Sequence, residues 1–443
     1  MQKRTHVTEG VHEREDLTVT DAKTKLQERK QRFYDALALK EPDKVPILDT
    51  CTDTFYAKEA GYTMAELNYD YGKTADALRK YFTHYDFDSG SVTPNATEGM
   101  GPIFDIVKPK MLLWAGMPDA PGNLDKNSMH QFIEFETVEE DELEELVKNP
   151  GEFFVTHYLP RAFGICEPMQ FFNLRQNFAP SFLPYVLLSI AGPLSAPPVQ
   201  NMIDELQKIL PLFGALQKQK DALAKEFEEE LGLPCLKGTT EDAAFDLYSD
   251  FLRGTMGSSD DIMTHPELLD EIMEQFWDWQ RKRILERPPA PGTYAFMPLH
   301  KGSDMFMSDE AYGRFYYKYL LKLIELYISL DVVPMVFTES SYNTRIKYLK
   351  DLPKGKCIVH FEQGDPEHIK RELGDVACLT GLFPWSFMNT ATPEQVVDKT
   401  KRLLDVMAPG GGYMFSFDGG IDDLCTTANM EALFDTIRTY GVY

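Results

Sequence analysis

The feature that most constrains the fold of this sequence is a regular alternation of strand and helix patterns in its C-terminal half. Strand-like apolar runs occur at Val332–Ser340, Lys356–Asp365, Val376–Pro384 and Gly412–Gly420, and an amphipathic helical pattern follows each of them. Such alternation predicts parallel strands with helices packed outside them. No GxGxxG or P-loop pattern follows any of these strands, which disfavours a nucleotide-binding open sheet.

Four further runs raise the number of strand candidates to about eight. VPILDT (Val45–Thr50) and YDFDSGSVTPN (Tyr85–Asn95) come first, and TYAFMPLHKG (Thr293–Gly302) precedes the regular C-terminal series. Between them, the apolar run LPYVLLSIAGPLSA (Leu183–Ala196) is interpreted as a buried strand that ends in a Gly-Pro turn. Eight parallel strands with intervening helices are most simply arranged as a closed barrel.

We therefore predict an α/β protein, a (β/α)8 TIM barrel that spans residues 45–443. Residues 1–44 form an N-terminal extension with a leading helix, because DAKTKLQERKQRFYDALAL combines a capping aspartate with helical apolar spacing. The charged amphipathic stretch at 200–235 is interpreted as a helical insertion in the barrel.

Charge and cysteine content restrict the partners and the compartment. The net charge is −25, from 70 acidic and 45 basic residues, and this disfavours nucleic acid and anionic membranes as partners. No apolar run reaches the roughly 18 residues that a membrane helix needs. The six cysteines are scattered without a CxxC pair, as expected of reduced thiols in the cytoplasm.

Polar residues at the carboxyl ends of barrel strands point into the active-site mouth. Alternation along a strand places Glu339 on one face of its strand, and His360 and Glu362 together on one face of the next. Asp418 ends the last strand. A histidine with two or three carboxylates at one mouth suits a divalent metal such as zinc or iron(II).

Simpler roles compete with this interpretation. A single histidine at a strand end is more often a hydrogen-bonded pocket residue than a metal ligand, and strand-end carboxylates also cap helices. Asp365, before PEHIKREL, is such a cap, and Asp418 beside Gly-Gly could serve a turn. Other strand-end residues could line the pocket, but none has a partner in the sequence: Asp49, Asp53, Asn95, His300 and Lys301.

Several long segments resemble the uroporphyrinogen decarboxylase superfamily, particularly its corrinoid-dependent methyltransferase branch. The resemblance is carried by DEAYGRFYYKYLLKLIELYISLDVVPMVFTES, LTGLFPWSFMNTATPEQVVDKTKRLLD and GGYMFSFDGGIDDLCTTANMEALFDTIRTYG, with FLRGTMGSSDDIMTHPELLDEIMEQFW and VPILDTCTDTFYAKEAGYTMAEL before them. It covers most of residues 25–443, as an agreement in segment order and not as one diagnostic motif. The superfamily has a TIM-barrel fold.

Departures from the superfamily patterns narrow the expected chemistry. The arginine-rich N-terminal motif that grips porphyrin carboxylates is not recognisable, so porphyrin decarboxylation is disfavoured. Thiol-methylating members bind zinc through a His-x-Cys pair and a later cysteine. This sequence has Phe337-Thr338-Glu339 and Asp418-Gly419-Gly420 at those places. Harder oxygen and nitrogen ligands suit an oxygen substrate better than a thiol.

The chain is thus similar to the zinc methyltransferases of O-demethylase systems, whose Glu…Glu…His zinc pattern has 20 residues between the second Glu and the His. Glu339 and His360 have that spacing, but the first Glu of the pattern has no clean counterpart in this sequence. The resemblance implies a zinc enzyme, with Glu339 and His360 as the catalytic pair and the third ligand open between Glu362 and Asp418. It implies methyl transfer from an aryl methyl ether to the cobalt(I) of a corrinoid on a separate protein. The alternatives are another methyl donor (methylamine, methanol or a thioether) or a decarboxylase-like lyase. The oligomeric state stays open, a homodimer being one option.

Overall fold

A parallel β-sheet forms the centre of the molecule. The computed structural model describes residues 19–49, 53–122, 124–174, 182–236 and 238–443. Five parallel strands adjoin one another in chain order, and each pairs with the next. They are β3 (Gly238–Thr240), β4 (Tyr294–Leu299), β5 (Val333–Ser341), β6 (Ile358–Gln363) and β7 (Cys378–Gly381). β1 (Leu112–Leu113) and β2 (Gln131–Phe132) form a separate antiparallel pair.

Three extended segments close this sheet into a ring. Segment 413–417 joins β7 through parallel bridges, including Leu379 with Tyr413, and it joins segment 45–48 through Ile47 and Phe415. The amide of Asp88 donates to the carbonyl of Ile47 at 2.8 Å. Segment 87–90 then reaches the strand that becomes β3, through the parallel bridge between Gly90 and Cys235. Five strands and three segments make eight, so the predicted (β/α)8 barrel is confirmed.

Helices surround this ring and fill the connections between its strands. Capping residues mark the N-termini of several of these helices, for example the capping box at Thr392 and the side-chain cap at Asp365. The longer helices are Val19–Leu37, Tyr71–His84, Leu183–Leu194, Pro197–Leu206, Ile209–Glu226, Gly254–Thr264, Pro266–Glu286, Lys318–Ser329, Pro393–Met407 and Thr427–Tyr440. The shorter helices are Phe55–Ala60, Met64–Tyr69, Gly101–Val107, Leu143–Lys148, Pro150–Phe153, Leu159–Ala162, Ala244–Tyr248, Asp309–Ala311, Ile346–Leu349 and Pro366–Leu373.

The leading helix Val19–Leu37 closes the amino-terminal end of the barrel. Its Phe33, Ala36 and Leu37 pack in one buried cluster with inward side chains of the ring. Those ring residues are Leu48, Met335, Ile358, Cys378 and Met414. The bottom of the barrel is therefore an apolar plug, and Cys378, the first residue of β7, belongs to that core.

A buried ion cluster ties both ends of the chain to segment 87–90. Asp88, which is 1% exposed, binds the guanidinium of Arg32 from the leading helix and that of Arg438 from the last helix. It also accepts the amide of Ile47 at 2.8 Å. Since a buried carboxylate is stable only when paired, this cluster fixes both terminal helices against the barrel.

The third barrel strand is not where the sequence predicts it. Residues 183–196 were expected as a buried strand, but Leu183–Leu194 is a helix whose Tyr185, Leu187 and Leu188 are largely exposed. The place beside segment 87–90 is taken by Cys235 and the strand β3 (Gly238–Thr240) instead. A short apolar run fits a strand or a helix equally well, so its pattern could not decide between them.

The region 200–235, predicted as a helical insertion, contains most of the helix Pro197–Leu206, the whole helix Ile209–Glu226 and the helical turn Phe227–Leu231. It lies in the long connection between two neighbouring segments of the barrel. In the part of the chain described, no helix has both the length and the apolar character needed to cross a membrane.

Candidate active site at the barrel mouth

Side chains inside the barrel form layers, because alternate residues of neighbouring strands face inward at similar heights. Along β6, Ile358 belongs to the apolar plug, His360 to the layer above it, and Glu362 to the mouth. Phe337 of β5 and Thr380 of β7 pair in register with His360. His360 therefore lies one layer below the mouth.

His360 is held on all sides within this middle layer. It is fully buried, and its ring stacks on Phe337 with centroids 4.0 Å apart. Nε2 lies 3.1 Å from the carbonyl oxygen of Asp418, to which it donates, and Nδ1 lies 3.3 Å from the hydroxyl of Ser416. Burial lowers the pKa of His360 to about 4, so the imidazole is neutral at physiological pH. These are the contacts of a satisfied core histidine.

Glu339 is turned away from His360 by a β-bulge. Between Thr338 and Ser341, β5 contains one residue more than β6 opposite it, and Ser340 adopts φ 64. A bulge bends the strand and redirects its side chains. The Glu339 carboxylate accordingly faces β4, where its Oε1 lies 3.4 Å from Nε2 of His300.

His300 follows the last residue of β4 and has two carboxylate partners. Its Nδ1 lies 2.5 Å from Oδ2 of Asp250, opposite the Glu339 contact on Nε2. Burial disfavours its charge, but hydrogen bonds to Asp250 and Glu339 raise the pKa of His300 to about 11. The ring is thus an imidazolium at neutral pH, and both of its nitrogens carry protons.

Three aspartates in the connection after β3 support His300 from behind. Asp246 and Asp250, four residues apart, lie on the same side of the helical turns at 244–253, and Asp242 precedes the first of these turns. Asp246 accepts the Lys301 amide at 2.8 Å and the Tyr316 hydroxyl. Burial raises the pKa of Asp246 to about 8 and that of Asp242 to about 6.

Glu362 and Asp418 are at the mouth but bind backbone groups. Oε2 of Glu362 accepts the Ser340 amide at 2.5 Å, and Oδ1 of Asp418 accepts the Trp385 amide at 2.8 Å. Burial raises the pKa of Glu362, and the charges of Glu339 and Asp418 add to this effect. Burial likewise raises the pKa of Asp418 to about 6. The three carboxylates therefore share one electrostatic environment.

The predicted metal ligands do not form a coordination set in this arrangement. A catalytic zinc needs three protein ligands, yet both ring nitrogens of His360 are engaged inside the barrel. Across the described residues, no three histidine, cysteine, aspartate or glutamate side chains are grouped so that they could hold a metal ion. The carboxylates and His300 at the mouth bind one another and the backbone.

A cavity of about 230 Å³ lies at the opposite end of the barrel, next to Phe33, Tyr294 and Val333. These residues belong to the leading helix and to the amino ends of β4 and β5. Catalytic groups of this fold stand at the carboxyl ends of the strands, and His300, Glu339 and Glu362 of this chain lie at that end. The mouth is therefore the candidate site.

Of the four predicted residues, Glu339, Glu362 and Asp418 are at the mouth, and His360 lies beneath it. Sequence reasoning named His300 only as a pocket residue without a partner, and it missed Asp250. A usable signal existed, since aspartates spaced by four follow the short run GTT of β3. It went unrecognised because that strand was placed elsewhere.

Comparison with known proteins agrees with this architecture. The family model described as uroporphyrinogen decarboxylase (URO-D) matches residues 193–440. A methyltransferase from Methanosarcina mazei has a similar structure, with a TM-score of 0.55 over 93% of this chain and 98% of that chain, at 13% sequence identity. That identity supports a common fold alone. No curated protein sequence matches the chain significantly.

Proposed function

Because the chain belongs to the uroporphyrinogen decarboxylase family, we propose that it is a methyltransferase that removes a methyl group from oxygen. The donor is an aryl methyl ether, and the acceptor is the cobalt(I) of a corrinoid carried by a separate protein. The family and the fold do not specify this donor and acceptor, and the support for them comes from the chemistry of the barrel mouth.

The observation that carries the proposal is the hard-donor character of this mouth. Glu339 lies near the carboxyl end of β5, where thiol-methylating relatives have a cysteine, and it contacts His300, which follows β4. Cys357 and Cys378 stand at the amino ends of β6 and β7, far from the mouth. Carboxylate and imidazole groups suit an oxygen-containing substrate, whereas thiolates suit a thiol.

An aromatic floor beneath the polar groups suits an aryl ring. Phe337 stacks on His360 and lies 5.3 Å from Phe296, centroid to centroid. Glu339 lies two residues further along β5, towards the mouth, and its carboxylate faces His300. A substrate with a flat apolar ring and one ether oxygen matches this mouth, because the ring would lie on the aromatic floor and the oxygen beside the polar groups.

The reaction breaks the bond between the methyl carbon and the ether oxygen, and the electron pair of that bond stays on the oxygen. The corrinoid would supply the nucleophile, the electron pair of cobalt(I) that forms the new bond to carbon. The chain itself must bind the ring, exclude water and stabilise the negative charge on the departing oxygen, since a phenolate is otherwise a poor leaving group.

The test uses the purified full chain with free cob(I)alamin as the acceptor, and methylcobalamin formation is followed by absorbance. We expect transfer from 2-methoxyphenol and none from methanol, methylamine or dimethyl sulfide. Glu339→Ala should lower the rate about 100-fold or more, because one displaced active-site group can cost that much. Glu394→Gln, at an exposed carboxylate on an outer helix, is the matched control and should behave like wild type.

Two results would overturn the proposal. Preferential transfer from the amine, the alcohol or the sulfide would assign a different donor. Carbon dioxide release from a carboxylated substrate without methylcobalamin would assign a lyase. Metal analysis addresses zinc separately. Stoichiometric zinc that is lost in Glu339→Ala would support a metal at Glu339, while metal-free protein that stays active in chelator would exclude it.

A further inference from the structure

The two nitrogens of His300 have different surroundings. Nδ1 points inward to Asp250, whose side chain is 5% exposed, and Nε2 points to Glu339, whose side chain is 38% exposed. The His300 side chain itself is 31% exposed. One nitrogen is therefore anchored in the protein, and the other opens onto the mouth.

Asp250 is held firmly enough to orient the ring. Its Oδ1 lies 3.1 Å from the ammonium group of Lys301, while its Oδ2 binds Nδ1 of His300 at 2.5 Å. The backbone that carries His300 and Lys301 is fixed in turn, because both of their amides donate to the carboxylate of Asp246. A carboxylate behind Nδ1 is the arrangement by which proteins fix both the orientation and the proton position of a working imidazole.

We propose that His300, oriented by Asp250, is the group that binds the departing oxygen of the methyl donor. Nδ1–H stays bound to Asp250, and Nε2–H donates a hydrogen bond to the ether oxygen, replacing Glu339 as its acceptor. When the bond to the methyl carbon breaks, the electron pair remains on that oxygen, and the resulting phenolate stays hydrogen-bonded to Nε2–H of His300. This inference rests on the proposed function and assigns the substrate-binding atom within it.

His360 cannot take this role in the same structure. It lies one layer below the mouth, and Asp418 and Ser416 occupy both of its nitrogens. Nε2 of His300, in contrast, faces the partly exposed carboxylate of Glu339 at the mouth, so that a substrate oxygen can reach it. Asp250 is a positioning residue, since it acts on the oxygen only through the ring.

The first experiment measures methyl transfer to cob(I)alamin from a series of substituted methoxybenzenes whose phenols differ in acidity. Removing one preorganised donor to a developing oxyanion costs about 100- to 1000-fold in rate, so we expect a loss of that order in His300→Ala. The loss should be greatest for the least acidic phenols, whose phenolates need most stabilisation. Asp250→Asn should show a smaller loss with the same trend, and kcat should fall more than KM rises.

The matched control is His265→Asn. His265 also pairs with a carboxylate, Glu140, at 2.9 Å, but this pair is on the surface and outside the mouth. The His265→Asn variant should therefore have the wild-type rate and the wild-type dependence of that rate on phenol acidity. A His300→Ala protein that is folded, retains the wild-type rate and shows the same dependence would overturn the inference.

A binding measurement separates this inference from the proposed function. 4-Nitrophenol changes colour when it ionises, so its absorbance in complex with the protein reports whether the bound phenol is an anion. Wild type and His265→Asn should lower the apparent pKa of bound 4-nitrophenol, and His300→Ala should not. If wild type transfers no methyl group but shows this shift, only the proposed function fails. If wild type and His300→Ala give the same shift, the role of His300 fails, whatever the transfer assay shows.

Discussion

Replacing His360 with glutamine should remove a pH dependence of folding stability that the buried imidazole imposes. Burial lowers the pKa of His360 to about 4, whereas a histidine in the unfolded chain titrates near 6.5. Between these values the unfolded chain binds a proton that the folded protein excludes, so stability falls as the pH falls. With these two pKa values, the loss is about 2 kcal/mol at pH 5 and about 3 kcal/mol at pH 4 relative to pH 7.

Glutamine isolates this effect because its side-chain amide can still donate to the carbonyl of Asp418. The variant loses the stack on Phe337, which should cost roughly 1 to 3 kcal/mol at every pH. The free energies of unfolding of the two proteins should therefore differ most at pH 7 and approach each other as the pH falls to 5.

The assay is urea unfolding followed by tryptophan fluorescence at pH 7, 6 and 5, in buffers that contain a chelator. Subtracting the variant from wild type at each pH cancels the contributions of other titrating groups. A difference that stays constant from pH 7 to pH 5 would refute the reasoning, because it would mean that His360 can be protonated in the folded protein.

Two further substitutions test the packing of the barrel by the same unfolding measurement at pH 7. Asp88→Ala should destabilise the protein by about 3 kcal/mol, because it leaves two largely buried arginines without this partner. The control Asp76→Ala removes an exposed pair with Lys80 and should cost less than about 1 kcal/mol. Equal effects would contradict the structural role of the buried cluster. Gly381→Ala should destabilise the protein by about 2 kcal/mol or more, since φ of Gly381 is +86 and the new Cβ would lie 2.3 Å from the carbonyl oxygen of Phe361. An unchanged urea midpoint would show that this backbone conformation is not required.

The sequence by itself determined the architecture and the position of most polar mouth residues. Alternating strand and helix patterns specify a parallel barrel, and alternation within strands places His360 and Glu362 on one inward face. Both signals are local, since they depend on residues a few positions apart. For the same reason Asp365 was recognisable as a helix cap, as the structure confirms.

Only the tertiary structure decided which of these residues work together. The bulge at Ser340 turns Glu339 from β6 towards β4, and barrel packing brings Asp250 to His300, 50 positions along the chain. In the closed barrel, residues 238–240 form a strand, whereas residues 183–194 form a helix with exposed apolar side chains. Hydrogen-bond partners across a barrel depend on strand order, register and bulges, which are properties of the closed sheet. No local period in the sequence encodes them.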